Sequence, residues 1–480
     1  MLDTDAARTG GRDACPQRDE SGGPNLKQRS RSTKPQQTAS GISRRSFLKS
    51  TGAGLAGAAS VTALRPRISV AAPVTLSIWT GFPEIEQFYK KAGEEYAKKN
   101  PGFKLETLSS ELRGMEQKIA AAVPTDTGPD LFDVSRNIAL TLIDANLLPP
   151  DPPKVMSLLK SNAFHPVTIE YNTWKGQVYG VPFLEGSKPA LFYNTKMFKE
   201  AGLDPNKPPA TFDELMAYAQ KLTKRDAAGN PTRAGITLRL VGQGSGVAEK
   251  FWYVLYAMGG DPLIQTKSGK WHNNYDNDAG RAALKFYIDA VHKHKVDDQK
   301  LPRDTNAFVS EQAAMHMRES DVIGTLKEKG PKVEYMTAPI PRGPKRWGSM
   351  TQPWSIYVSK GKNQEAAWDF AQFLVSPPMA LKLTREVGWL SLRQDVDWAP
   401  LLKETPQYKA FVVWDKARQI YAEPALPLWD EIESRMADRL VTAYADKSLL
   451  DNPAGIAKVM KDMAAQSDEL LKKAGLYGTD

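Results

Sequence analysis

Five tryptophans, Trp79, Trp252, Trp354, Trp389 and Trp429, stand where loop-like segments meet regularly patterned runs. A flat indole stacks on the apolar C–H face of a sugar ring, and planar bidentate side chains satisfy the hydroxyls around its rim. Tryptophan beside arginine or carboxylate is therefore the chemistry of carbohydrate binding. Trp79 and Thr80 close the first apolar run after residue 73, and Ser135 and Arg136 follow the run Asp130–Val134. Ends of parallel strands open onto clefts, which puts these four in line for a cleft wall. Trp79 has an equally plain alternative as a core residue of its strand.

Catalytic signatures are missing. The chain has no GxxxxGK, HExxH or CxxC. Gly242–Gly246 (GQGSG) lacks the third glycine of GxGxxG, and its serine is one place off for a nucleophile elbow, so it reads as a flexible loop. His292 and His294 point to different faces of a helix and cannot chelate a metal together; they read as solvated. The pairs Asp297–Asp298 and Glu431/Glu433 could serve glycoside hydrolysis, but among 55 acidic residues they read as solvated faces. No cofactor is expected.

The formal charge of +9 is uneven, because residues 1–72 hold 12 of the 64 Lys+Arg and 5 of the 55 Asp+Glu, leaving 52 against 50 for the remainder. That balance gives no reason to expect nucleic acid as a partner. The single cysteine, Cys15, leaves the folded part without disulfides or thiolate sites, so packing alone must hold it.

Residues 1–42 are polar and poor in large apolar side chains, a composition that reads as a disordered arm. Residues 43–72 carry the pair Arg44-Arg45, a Gly/Ala-rich apolar stretch and a small-residue site before Pro73, which together read as a twin-arginine export signal. A twin-arginine translocase would then be one partner and the periplasm the destination. No cysteine follows the signal, so no lipid anchor is expected.

From Val74 the pattern alternates strands with amphipathic helices, the mark of parallel α/β layers. Val74–Trp79 reads as a strand, Ile85–Tyr96 as a helix stopped by Asn100-Pro101-Gly102, and Phe103–Leu108 as the next strand. Further helices are expected at Leu112–Val123, Thr211–Leu222, Val247–Met258 and Ala279–Lys293, and strands at Ile236–Leu240 and Val333–Ala338. In Val178–Leu222, two apolar runs flank Glu185-Gly186-Ser187-Lys188, the first broken at Pro182. Asn194 can cap a short helix, and Thr211 and Glu214 have capping-box spacing.

That stretch, with its YNxxxFxxAGL and later Pro-Thr-acidic start, resembles the family-1 extracellular solute-binding proteins of ABC importers, the maltose-binding branch above all. Gly128–Pro150 and Ala366–Val396 extend the resemblance over most of the chain after Pro73. It implies a two-lobed α/β fold of the periplasmic-binding-protein type II kind, with hinge crossings and an interlobe cleft. Residues 73–184 plus about 355–400 would form one lobe, and 185–354 plus about 401–480 the other. It also implies ABC permease subunits as partners and a monomer that performs no reaction. Glu185 would be an acidic contact at the crossing and Trp429 an aromatic platform. Arg318 falls where relatives place Gly-Pro-Trp and would reach ligand hydroxyls or an acidic group, or form a surface salt bridge. Trp354 replaces small residues. Trp389 and Arg393 match a Gly-x-Leu-Pro-x-Arg turn that here has Ser391 for proline, near the cleft or anchoring the loop. A carbohydrate is the expected solute. Another solute, such as glycerol phosphate or a polyamine, and a periplasmic carbohydrate-active enzyme remain the alternatives.

Overall fold

The computed structural model describes residues 73–242 and 244–480. The arm expected at residues 1–42 and the export signal expected at 43–72, with Arg44 and Arg45, lie outside the described residues.

The chain opens with β1 (Val74–Thr80), α1 (Glu86–Lys99) and β2 (Phe103–Ser109). Inward Leu76 and Ile78 alternate with less buried neighbours in β1. Gly102, at φ +91°, turns the chain from α1 into β2, a conformation that costs glycine little. Then come α2 (Leu112–Ala122), β3 (Leu131–Asp133), α3 (Arg136–Asp144) and β4 (Val181–Glu185). The chain passes through Gly186–Pro189 into β5 (Ala190–Asn194), followed by α4 (Gly246–Ala257), α5 (Asp278–Ile288), β6 (Met315–Arg318), β7 (Tyr335–Pro339) and β8 (Gly348–Thr351). It returns in β9 (Pro353–Val358), α6 (Gln364–Leu374) and α7 (Pro377–Val387), and ends with β10 (Gln419–Ala422), α8 (Trp429–Ala445) and α9 (Pro453–Lys473).

Two sheets organise these elements. The first has the order β2-β1-β3-β9-β4, with β1, β2 and β3 parallel and β9 antiparallel to both its neighbours. Leu76, Ile78, Leu131, Phe183 and Ile356 form one core with α1, α6 and α7, while Phe132, Val134 and Tyr357 pack on the α2 and α3 side. The second sheet has the order β6-β5-β7, all antiparallel, and its large core takes in α4, α5, α8 and α9. Helices on both faces of each sheet give the α/β layering that the alternating pattern implied, but the expectation of parallel strands holds only for β1, β2 and β3, since β9 and the whole second sheet run antiparallel.

Local signals explain most boundaries. Asn194 Oδ1 accepts from the Met197 amide at 2.9 Å, and Thr211 Oγ1 accepts from the Glu214 amide at 3.2 Å. The Glu214 carboxylate accepts from the amide of Ala210, one residue ahead of the cap, at 2.7 Å. Two expectations need correction. The break in the Val178 run falls at Gly180, at φ +83°, and Pro182 lies inside β4. Because β4 is the sheet edge, a residue without an N–H is tolerated there. Ile236–Leu240 forms only the isolated bridge Thr237↔His316, since Arg239 sits at φ +50° and the Leu238 amide donates to Asp297 Oδ2 at 2.8 Å.

Three side chains read as solvated are also built in. Asp297 is buried, with its carboxyl pushed up to about 7 by that burial. Glu433 is buried with its Oε1 accepting from Trp252 Nε1 at 2.7 Å, and His292 is half-buried with Nε2 at 3.0 Å from the Tyr444 carbonyl. Each finds a partner on an element distant in sequence, which local pattern does not reveal. Glu431, exposed and paired with Arg435, matches the expectation. Among the described residues no helix is long and apolar enough to cross a membrane, and no group of three His, Cys, Asp or Glu could hold a metal ion.

Candidate functional site

The carboxyl ends of β1 and β3 meet at a buried lock. Thr80 Oγ1 donates to Asp133 Oδ1 at 2.8 Å, the Gly81 amide donates to the same oxygen at 3.1 Å, and the Tyr89 hydroxyl donates to Oδ2 at 2.6 Å. Burial pushes the Asp133 carboxyl up to about 6. Thr80 thus aims the loop after β1 and spends its own hydroxyl doing so. The residue that loop presents is Phe82, whose ring meets Trp354 edge-on at 4.8 Å and Trp389 at 5.9 Å. Trp389 Nε1 in turn donates to Glu84 at 3.2 Å. Trp79 packs among Leu108 and the α2 side core, with Lys118 Nζ 5.7 Å over its ring.

Glu185 clasps two crossings. Its carboxylate accepts from Thr351 Oγ1 at 2.6 Å, the Gln352 amide at 2.9 Å and the Ser187 amide at 3.2 Å, while the Gly186 amide donates to the Gln352 carbonyl at 2.9 Å. Burial raises its pKa. A Cβ on Gly186 would lie 2.3 Å from Trp354 Nε1, so this close approach admits only glycine. Gln352 then reaches Glu423 with its Nε2 at 2.8 Å.

Behind Ser187 the second lobe carries a dense polar network. Ser187 Oγ lies 3.0 Å from both Glu249 and Tyr253, Lys250 Nζ donates to Glu319 at 2.7 Å, and the Tyr253 hydroxyl donates to Glu319 at 2.6 Å. Arg318 is held in this network by Glu319 at 2.8 Å and Asp304 at 3.3 Å.

A cavity of about 30 Å³ lies between the two lobes, lined by Ser135, Arg136 and Tyr171 on one side, Glu423, Trp429 and Asp430 on the other, and Gln352 and Trp354 at its base. Arg113 Nη1 spans the lobes to Asp430 at 3.5 Å. Arg136 donates to the Tyr171 carbonyl at 2.6 Å and the Thr173 carbonyl at 3.2 Å, yet its Nη1 has no partner. Ser135 Oγ, Glu423 Oε1 and Trp429 Nε1 are also buried without a partner of sound hydrogen-bond geometry. The Trp429 indole faces the Glu423 carboxyl, and polar atoms gathered in this way around one cavity take their remaining partners from what enters it, water or ligand. Burial, then the charge of Glu249, pushes the Glu423 carboxyl up to about 8.

Of the residues singled out in the sequence, Ser135, Arg136, Trp354 and Trp429 line this cavity, and Trp389 joins it through Phe82. Trp252 is enclosed in the second core, 5.7 Å from Trp429. Arg393 lies on the other side of the hinge, where it donates to Asp395 at 2.7 Å and to the Val375 carbonyl at 3.1 Å, the anchoring alternative. Sequence reasoning passed over Phe82, Tyr171, Gln352, Glu423 and Asp430. Only the first and fourth left a trace, as Thr-Gly-Phe after a strand and Glu-Pro ahead of Trp429.

The chain is 24% identical over 345 residues to a maltotriose-binding protein of Pyrococcus abyssi, covering 70% of each chain. Its fold is similar to that of the cyclic alpha-maltosyl-1,6-maltose binding protein of Arthrobacter globiformis, with a TM-score of 0.68 at 19% identity over 82% of this chain and 100% of that one. It is also similar to an ABC transporter solute-binding protein of Thermotoga lettingae bound with alpha-D-tagatose, with a TM-score of 0.66 at 23% identity over 83% and 99% of the two chains. The family model for bacterial extracellular solute-binding proteins matches residues 91–410, and with the two lobes and the cleft between them this chain belongs to that family.

Proposed function

We propose that this solute-binding protein takes up a neutral carbohydrate between its lobes and hands it intact to the transmembrane subunits of an ABC importer. The observation that carries the reading is the set of unpartnered polar atoms on Ser135, Arg136, Glu423 and Trp429 around a cavity floored by Trp354. A guanidinium N–H, an indole N–H, a hydroxyl and a protonated carboxyl offer donors and acceptors to hydroxyls, and the indoles offer faces to C–H groups. A cavity of about 30 Å³ has room for a water molecule, not a sugar ring, so the walls must part to admit ligand. Contacts to both walls at once would then draw the lobes together and shift the population toward the closed arrangement.

In this reading the moving bodies are residues 73–184 with about 355–400, and 185–354 with about 401–480. Arg44 and Arg45 address the chain to the twin-arginine translocase and hence the periplasm, where it works as a monomer without cofactor or reaction. A thermal-shift screen with maltotriose and a panel of neutral oligosaccharides tests it. At least one should raise the melting temperature, since a ligand confined to the native state stabilises it, and should be recovered chemically unchanged. No stabilisation by any neutral saccharide, or recovery of cleaved product, would sink the reading.

A further inference from the structure

A second cavity, of about 700 Å³, lies on the opposite side of the hinge. In the first sheet, β1 and β3 lie on one side of β9 and β4, and the segment around Ser391, bridged to Leu184, lies beyond β4 on the other. Walls come from both lobes: His165 and Thr168 from the first, Lys188, Trp414 and Arg418 from the second.

Its chemistry is cationic and aromatic. Arg418 is 3% exposed and donates from Nη1 to the Ala410 carbonyl at 3.2 Å and from Nη2 to the Pro189 carbonyl at 3.3 Å; its Nε has no partner. Lys188 Nζ, among the described residues, makes neither a hydrogen bond nor an ion pair within 4.0 Å and rests 4.6 Å over the Trp414 ring, with the Arg418 guanidinium 4.1 Å over the same ring. The one carboxylate on the lining is Glu185, and its two oxygens are already taken by Thr351, Gln352 and Ser187. Arg393, also on the lining, is neutralised by Asp395. Burial holds Lys188 down to about 8, and an anion beside it would raise that value. Two cations rest on one indole beside space for a small molecule, and among the described residues neither forms an ion pair within 4.0 Å, the Glu185 carboxylate acting on Lys188 only from a distance; a closer anion would complete the pair.

We infer that this rear cavity binds a small organic or inorganic anion, carboxylate or phosphate, held by Lys188 and the free Nε of Arg418 with Trp414 beneath them. Since the walls belong to both lobes, its occupant favours the lobe arrangement in which those walls stand together. The site is separate from the interlobe cleft, so it stands or falls independently of the carbohydrate reading.

Isothermal titration of the full chain with inorganic phosphate, and separately with D-glucuronate, distinguishes the two anion chemistries. At least one should bind saturably at one site per chain. Lys188→Met, which removes no hydrogen bond and so should fold, should weaken that binding by about tenfold or more, the loss of one charge-assisted contact. Trp354→Ala, on the cleft side, should leave it within about twofold. No saturable binding of either anion to the wild-type chain by about 10 mM, a smaller effect of Lys188→Met, or an equal loss in Trp354→Ala would overturn the inference.

Discussion

The two cavities flanking the hinge differ in room, charge and completeness. The cleft-side cavity measures about 30 Å³ and carries two carboxyls, Glu423 and Asp430, and its orphaned atoms are mixed donors and acceptors. The rear one keeps about 700 Å³, and its unmatched groups are cationic. They share the crossing residues, which split between them: Gln352 and Trp354 line the cleft, Thr351 and Glu185 the rear. Alternation along an extended chain sends neighbouring side chains to opposite faces, so one short segment furnishes two unlike sites. A hinge in this protein is therefore a partition whose two faces can be altered separately.

The largest effect should come from Trp429→Ala. Trp429 is buried against Trp252, so truncation removes packing as well as a cleft wall, and stability should fall by roughly 3–5 kcal/mol. Denaturant unfolding measures this. Trp354→Ala, at a half-buried ring on the shared segment, should cost much less stability while weakening carbohydrate binding by roughly 1–3 kcal/mol. If Trp429→Ala left stability within about 0.5 kcal/mol, the cleft would be a surface feature and not an extension of the second core.

Next is the partition itself. Glu185→Ala strands the Ser187 and Gln352 amides and the Thr351 hydroxyl, each worth roughly 1–3 kcal/mol when left unsatisfied, offset in part by relief of the buried carboxylate. A net loss of about 2 kcal/mol is expected, with Glu185→Gln restoring most of it because an amide oxygen still accepts and Thr351 can reverse its role. Equal losses for both variants would mean that charge, not hydrogen bonding, is what Glu185 supplies.

A smaller effect separates the cavities by pH. Glu423 is raised to about 8 by burial, so the folded chain holds a proton there that an unfolded chain releases near the ordinary glutamate value. Between those values the folded state binds more protons, and the contribution to stability is full at acid pH and falls as pH rises through about 8. Glu423→Gln should flatten that part of a stability profile measured from pH 5 to 9. The same slope in the variant would remove Glu423 as its source.

How far the sequence foretold this molecule follows from the range of the interactions involved. The caps at Asn194 and Thr211, and the helices from Leu112, Thr211 and Gly246, are set by residues a few positions apart and were legible. Ile236–Leu240 misled because its amide at Leu238 is claimed by Asp297, 59 residues on. Ser135 could be foreseen as a cleft residue from the end of its strand and Trp354 from the family resemblance, but the partner wall could not. Glu423 and Asp430 acquire their meaning only where β10 and α8 are folded back across the hinge. Likewise Lys188 looked like one more polar residue in a connector until Trp414 and Arg418 were brought beside it.

The smallest expected effect concerns Arg393. Its guanidinium donates to Asp395, which is half exposed, as well as to the buried Val375 carbonyl, and its planar group lies 5.5 Å over Phe164. Asp395→Asn removes one charge from a partly solvated pair, for which about 0–1 kcal/mol is typical, and leaves the carbonyl and ring contacts in place. The hydrogen bond to Arg393 keeps the Asp395 carboxyl below the ordinary range, so this stability is present at neutral pH and lost as pH falls through the depressed value. Stability of the variant should therefore differ from wild type only slightly, and carbohydrate affinity not at all. Phosphate or glucuronate should bind the variant more tightly, because a cation on the rear lining loses its counter-charge. A change in carbohydrate affinity would instead tie Arg393 to the cleft and collapse the distinction between the two faces.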